Sequence, residues 1–221
     1  MGTSTLSNDR KVAILVPAYN EEKHLGITLS ALMAINLGHI YVADDASTDK
    51  TAHIAKSLGA TVISAPFNLG KGGILNYAFP QIKEELIILL DADLEKSSQE
   101  ASLIVEAINK GAELAIGAFR SQGGLGLVRK LASLLLYLKT GRYFIAPLSG
   151  QRAAPKDIWQ KLMPFAPGFS MEVAMLKKAC NEGLKIVEVP VKMQDRNYGK
   201  GYRGISHRFK QLIAVIKGIK S

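Results

Sequence analysis

The chain has 221 residues, 48 % of them apolar, which excludes a disordered protein and suffices for one domain with a full core. Lys and Arg exceed Asp and Glu by 28 − 19 = 9, a balance that favours anionic partners: phosphate-bearing small molecules, an acidic membrane surface or nucleic acid. The one cysteine, Cys180, rules out an intrachain disulfide, suits a reducing compartment and reads as a packed thiol at a helix end.

The polar start, MGTSTLSNDRK, has no apolar core of a signal peptide. No apolar run approaches the roughly 18 residues of a membrane span. The expected location is cytoplasmic, with peripheral contact at the inner membrane face left open. From residue 12 short apolar runs alternate with helical patterns. VAILV (12–16), HIYVA (39–43), TVISA (61–65), LIILL (86–90) and AELAIGA (112–118) read as strands. Between them, 21–35 has helical spacing with Leu25, Leu29, Leu32 and Met33 on one face. A second helix runs from a Ser47 or Thr48 cap to Leu58, a third over 70–79, and a fourth over 97–111. Strand–helix alternation with continuous apolar strands predicts βαβ units, a mostly parallel sheet and helices on both faces.

The second half is less regular. Helices are expected over 124–142, 168–183 and 205–220, a strand over 184–193, and a loop rich in Arg, Lys, Gly and Tyr over 194–204. The two basic amphipathic helices, 125–140 and 205–220, could lie on an anionic bilayer, dock on the sheet, or meet another subunit of a homo-oligomer. Trp159 and the 134–138 stripe read as core. With no linker or repeat, the chain reads as one domain over 1–221: a nucleotide-type half over 1–118 and an acceptor-type half over 119–221.

Each strand of the first half runs into polar residues: PAYNEE after the first, DDASTD after the second, NLGKG after the third and DAD after the fourth. In a parallel sheet these clusters meet along one edge, where such folds bind ligands. Asp91 and Asp93 stand one residue apart after a buried strand, and a divalent cation would relieve their repulsion. Oxygen ligands suit Mg²⁺ or Mn²⁺, held by one or two carboxylates with the remaining positions on phosphates. Glu95 reads equally well as a further ligand or as an acid at a helix start.

VPAYNEE, VADDASTDKT, NLGKGG and LLDADLE, in this order, closely resemble the family 2 glycosyltransferases of GT-A fold over about residues 12–118. The later LVRKLASLLLYL, PLSGQRA, GFSMEVAMLKKA and VEVPVKMQDRNYG resemble the polyprenyl-phosphate hexose synthases. This chain has Ala146 where that branch usually has an acid, and Glu95 where it often has Gln. Bacterial glucosyl-3-phosphoglycerate synthases have a similar layout, with a metal-binding His near the position of Asp195.

The resemblance implies a nucleotide-sugar donor. Pro17, Tyr19 and Glu21 would line the base and ribose pocket. Asp45 would bond the base edge, with Asp44 in support, and Gly70 and Lys71 would lie against the nucleotide. Asp91 and Asp93 would bind metal and ribose. Arg129, Arg152 and Arg196 would hold the phosphate of an acceptor, either a polyprenyl phosphate or a small molecule such as 3-phosphoglycerate. For a hydroxyl acceptor, Glu172 is the candidate base. Its other reading is an acid favoured by a helix start. A dinucleotide oxidoreductase lacks its G-x-G-x-x-G here, and GKGG lacks the flanks of a phosphate-binding loop. A nucleic-acid module would leave the Asp clusters unexplained, and nothing points to an inactive sugar-nucleotide sensor.

Overall fold

The computed structural model of the chain describes residues 11–119, 126–167 and 170–194. Seven strands form one sheet: β1 (Val12–Ala18), β2 (His39–Asp44), β3 (Thr61–Ser64), β4 (Leu86–Leu89), β5 (Leu114–Ala118), β6 (Arg152–Pro155) and β7 (Ile186–Pro190), in the order β3-β2-β1-β4-β6-β5-β7. All pairings are parallel except those of β6, which runs antiparallel to β4 and β5. This is the mostly parallel α/β architecture that the sequence pattern predicts.

The strands are apolar without interruption because both faces are covered. Ala13, Leu15, Ile87 and Leu89 turn one way, onto α3 (Gly70–Ala78), α5 (Gly126–Thr140), α6 (Lys156–Leu162) and α7 (Met171–Asn181). Ile14, Val16, Leu86 and Ile88 turn the other way, onto α1 (Leu25–Ile35) and α4 (Ala101–Asn109), with Ala55 of α2 (Thr51–Ser57) in the same cluster. Trp159 is core, as expected: it is fully buried, donates its indole N–H to the Ile87 carbonyl (3.0 Å) and meets Phe79 and Phe165 edge to face. The 134–138 stripe is not all core. Leu136 is buried, whereas Leu134, Tyr137 and Leu138 are exposed, because a helix on a sheet buries only one side.

Register sets the functional edge. β1 pairs with β2 up to Ala18–Asp44, with β4 up to Leu15–Leu89, and β2 pairs with β3 up to Asp44–Ser64. The four polar clusters of the first half therefore leave the sheet on one side. The antiparallel β6 brings its beginning to that same side, with Arg152 opposite Leu89. The turn 147–151 thus arrives where the parallel strands end. The expected helix at 205–220 and the loop at 195–204 lie outside the described residues.

Candidate active site

At the end of β2 the two aspartates are buried. Asp45 accepts the backbone N–H of Leu69 (2.7 Å) and of Gly70 (2.8 Å), one on each carboxylate oxygen. Its charge thus stabilises the positive end of α3. Asp45, expected at a base edge, fixes the start of α3. Asp44 accepts the Ser47 N–H (3.3 Å). At the end of β1, Tyr19 is half exposed, Pro17 is half-buried, and Glu21 donates its N–H to Thr51 Oγ1 (2.8 Å).

From the start of α3, Lys71 places its ammonium 2.7 Å from Asp91 Oδ1 and 3.2 Å from Glu172 Oε1, in the first turn of α7. One cation thus joins acids from two distant segments, Glu172 lying 101 residues beyond Lys71 itself. Burial pulls the Lys71 ammonium down, but Asp91 and Glu172 outweigh it and hold the group above the usual lysine range. Burial likewise pushes Asp91 up, and the Lys71 charge with hydrogen bonds from Lys71 and Gln151 brings it below the usual carboxylate range.

Gln151 was not singled out by the sequence. Its Nε2 donates to Asp91 Oδ2 (2.7 Å), and its Oε1 accepts the Asp91 backbone N–H (2.9 Å). The amide therefore fixes the Asp91 side chain against its own backbone, across 60 residues. Gly150 beside it has no room for a side chain: a Cβ would stand 2.7 Å from Asp91 Oδ2 and from Lys71 Nζ. The Ser-Gly pair of PLSGQRA was the available signal, but only the antiparallel β6 shows what it approaches. Gly72 plays the matching part on α3, where a Cβ would lie 2.2 Å from the Ala166 carbonyl. Asn76 fastens the same junction by bonding both backbone groups of Phe165.

Three further residues were expected at the site. Arg152 is fully buried. It donates to the carbonyls of Ser149 (2.9 Å), Glu172 (3.0 Å) and Pro147 (3.2 Å) and to Met175 Sδ (3.2 Å). It is a brace within the second half of the chain, buried away from any acceptor phosphate. Burial draws its guanidinium down to about 10, against Glu172, Glu188 and Asp91, so it stays charged at neutral pH. Glu95 is the second. It has a φ of 50°, its N–H bonds to Thr28 Oγ1 (2.8 Å), and its Oε1 lies 2.8 Å from His24 Nδ1. His24 is therefore its partner. Asp91, Asp93 and Glu95 do not assemble: among the described residues no three His, Cys, Asp or Glu side chains form a group able to hold a metal. Arg129, the third, is partly exposed and also donates to the Ile145 carbonyl (3.5 Å), which leaves it able to meet a phosphate. Arg196 lies outside the described residues.

The carboxylates that β4 runs into are Asp91 and Asp93. That suits a hard divalent cation that leaves most of its positions to phosphate and water. Lys71 already shows that a positive charge is stable between Asp91 and Glu172.

The glycosyl transferase family 2 model matches residues 13–179. A polyprenol monophosphomannose synthase of Mycolicibacterium smegmatis is 25% identical over 217 residues, covering 89% of this chain and 82% of its own. A protein of Methanocaldococcus jannaschii, MJ1222, is 31% identical over 199 residues, covering 84% and 82%. Among solved structures, glucosyl-3-phosphoglycerate synthase from Mycobacterium tuberculosis, in complex with Mn²⁺, UDP and phosphoglyceric acid, superposes with a TM-score of 0.79 at 24% identity, covering 96% of this chain and 78% of that one. At that identity the likeness speaks for the fold.

Proposed function

The chain belongs to glycosyl transferase family 2 and is a glycosyltransferase, and on that premise we propose that it moves a hexose from a nucleotide-sugar to a phosphorylated acceptor with the help of a divalent cation. The observation that carries the proposal is the meeting of Asp91, Lys71 and Glu172 at the edge where β1, β2 and β4 end.

Asp91 and Asp93 are the residues that would hold Mg²⁺ or Mn²⁺. When bound, the cation neutralises the diphosphate leaving group and so eases cleavage of its bond to C1. Lys71 adds a second positive charge at the same point. It is kept protonated by Asp91 and Glu172, and is free to follow phosphate oxygens as they gain charge. Tyr19 offers an exposed ring to the base, and Asp45 keeps the α3 start rigid beneath the nucleotide.

A phosphate monoester acceptor is ionised near neutral pH. Its oxygen forms the new bond to C1 while the bond to the nucleoside diphosphate breaks, and no proton has to move. Glu172 then serves to hold Lys71. For an acceptor that attacks through a hydroxyl, Glu172 is the group that takes the proton.

The polyprenol monophosphomannose synthase supports polyprenyl phosphate as the acceptor. The neighbour complexed with phosphoglyceric acid supports a small phosphorylated acid as the second reading.

The test is a thermal-shift panel of GDP, UDP, dTDP and their sugar conjugates, with and without Mn²⁺, on wild type and Asp93→Ala. Stabilisation by one nucleotide that needs metal and fails in the variant is the expected result. No stabilisation by any of them overturns the donor site. Transfer of labelled hexose to undecaprenyl phosphate in detergent, or to 3-phosphoglycerate in buffer, then separates the two acceptors.

A further inference from the structure

α5 buries Val128, Ala132 and Leu136 against the sheet and exposes the opposite side. On that side stand Leu127, 81 % exposed, then Leu134, Tyr137 and Leu138, the last 69 % exposed. Positions 127, 134 and 138 fall on one helical stripe, with Tyr137 and the exposed Lys130 along its edge. The chain then turns at Gly141 and runs back beside the helix. Ser133 Oγ donates to the Phe144 carbonyl (2.6 Å), and Arg129 donates to that of Ile145 (3.5 Å). Phe144 is buried, so its neighbours Tyr143 and Ile145 point away, each 59 % exposed. The result is one continuous apolar face built from two adjacent segments, larger than the scattered apolar residues normal on a soluble surface.

Charge selects what this face fits. From Glu113 to Asp157 the sequence contains no Asp or Glu between those two residues, while Arg129, Lys130, Lys139 and Arg142 lie in or next to α5. Lys130 and Lys139 are exposed. The nearby Glu188 is occupied with the backbone N–H groups of Ile145 (2.9 Å) and Ala146 (2.7 Å). Leucines with tyrosines among them and lysines at the margin, on a segment without acids, match the layered demands of an anionic lipid surface: hydrocarbon, then the interfacial zone, then phosphate.

We propose that the outer face of α5, together with Tyr143 and Ile145, docks this protein on an anionic bilayer. The segment leads straight into the turn 147–151, whose Gly150 abuts Asp91 and Lys71. Docking there sets the active-site edge close to the membrane plane. The proposal rests on the exposed face and not on the identity of the acceptor, so the two fail separately.

The experiment is co-sedimentation of the full chain with vesicles of phosphatidylcholine alone and of phosphatidylcholine mixed with phosphatidylglycerol, at low and high salt. The variant is the double substitution Leu134→Glu and Leu138→Glu, on exposed positions, checked by circular dichroism and by nucleotide thermal shift. Wild type is expected to sediment with the anionic vesicles, less so in high salt, and not with the neutral ones. The double variant should partition at least about tenfold less while keeping its fold and its nucleotide response. Failure of wild type to bind anionic vesicles overturns the proposal. Equal binding by the variant also overturns it, since the contact then lies elsewhere. A wild-type dimer that the variant converts to monomer, in sedimentation velocity without lipid, overturns it in favour of a second copy of the chain.

Discussion

Asp45 in the first half of the chain and Arg152 in the second are both buried near the same sheet edge, and both spend their charge on backbone groups. Asp45 collects two N–H groups at a helix start, and Arg152 collects three carbonyls around a turn. Each sits inside a motif whose charged residues would be read as ligand contacts. Between them, Lys71, Asp91 and Glu172 keep their charges for one another, at side chains that are partly open to solvent in the first two cases. The contrast separates two uses of charge at one edge: bracing the loops, and pairing side chain with side chain.

The strongest way to break that comparison is Arg152→Met. It strips the carbonyls of Ser149, Pro147 and Glu172 of their buried donor. Leaving a buried carbonyl without its donor costs roughly 1–3 kcal/mol each, so three together should give the largest loss, which urea unfolding would register as a lower midpoint with an unchanged slope. Arg152→Lys should recover only part, because an ammonium cannot span the same fork. If Arg152→Met were as stable as wild type yet lost acceptor binding, Arg152 would be a phosphate contact after all.

Asp45→Asn is the counterpart on the nucleotide side. One oxygen remains for Leu69 or Gly70, and an NH₂ now faces the other N–H. The loss of a capping acceptor is worth about 1–2 kcal/mol of stability. Nucleotide affinity should fall with it because the α3 start carries Lys71. A stable Asp45→Asn protein with weakened base discrimination would return Asp45 to the direct role that the motif implies.

Gln151→Leu probes the junction of the two uses. It removes the amide that holds Asp91 at both its side chain and its backbone. Partners that orient a metal-binding carboxylate typically change affinity by about 10–100-fold. The expected result is a higher Mn²⁺ requirement in the transfer assay, with a smaller change in donor KM at saturating metal. A drop in stability with an unchanged Mn²⁺ requirement would mean that Gln151 merely packs.

The first half was legible because its chemistry is local: an apolar run, then acids, repeated at the end of each strand, with one rule of parallel pairing to collect them. The second half was not, for a physical reason. β6 is four residues long, RAAP, too short and too small in its side chains to carry a period. Its antiparallel sense puts the beginning of the strand at the site, not its end. Gln151 and Gly150 gain their meaning only from that reversal. Arg152 was misread because a guanidinium in a motif looks alike whether it faces a phosphate or three carbonyls, and only burial tells them apart. For Glu95 the sequence left two readings, and the structure meets the second, an acid in the first turn of a 3-10 helix that starts at φ 50°.

Glu95→Gln carries the smallest expected effect and the sharpest test of that last reading. Glu95 shares a partly exposed pair with His24, the side chains being 46% and 30% accessible. Exposed pairs of this kind contribute about 0–1 kcal/mol, and a glutamine amide can still bond to an imidazole nitrogen, so stability should hardly change. The backbone N–H of residue 95 keeps its bond to Thr28 Oγ1 whatever the side chain, and the Thr28 hydroxyl keeps its own to the Ala92 carbonyl (2.8 Å). The turn that carries Asp91 and Asp93 therefore stays in place. If Glu95 is spent on His24, the Mn²⁺ concentration for half-maximal transfer will match wild type. If instead it rises severalfold in Glu95→Gln while His24→Gln leaves it unchanged, Glu95 reaches the cation, and three carboxylates rather than two serve the end of β4.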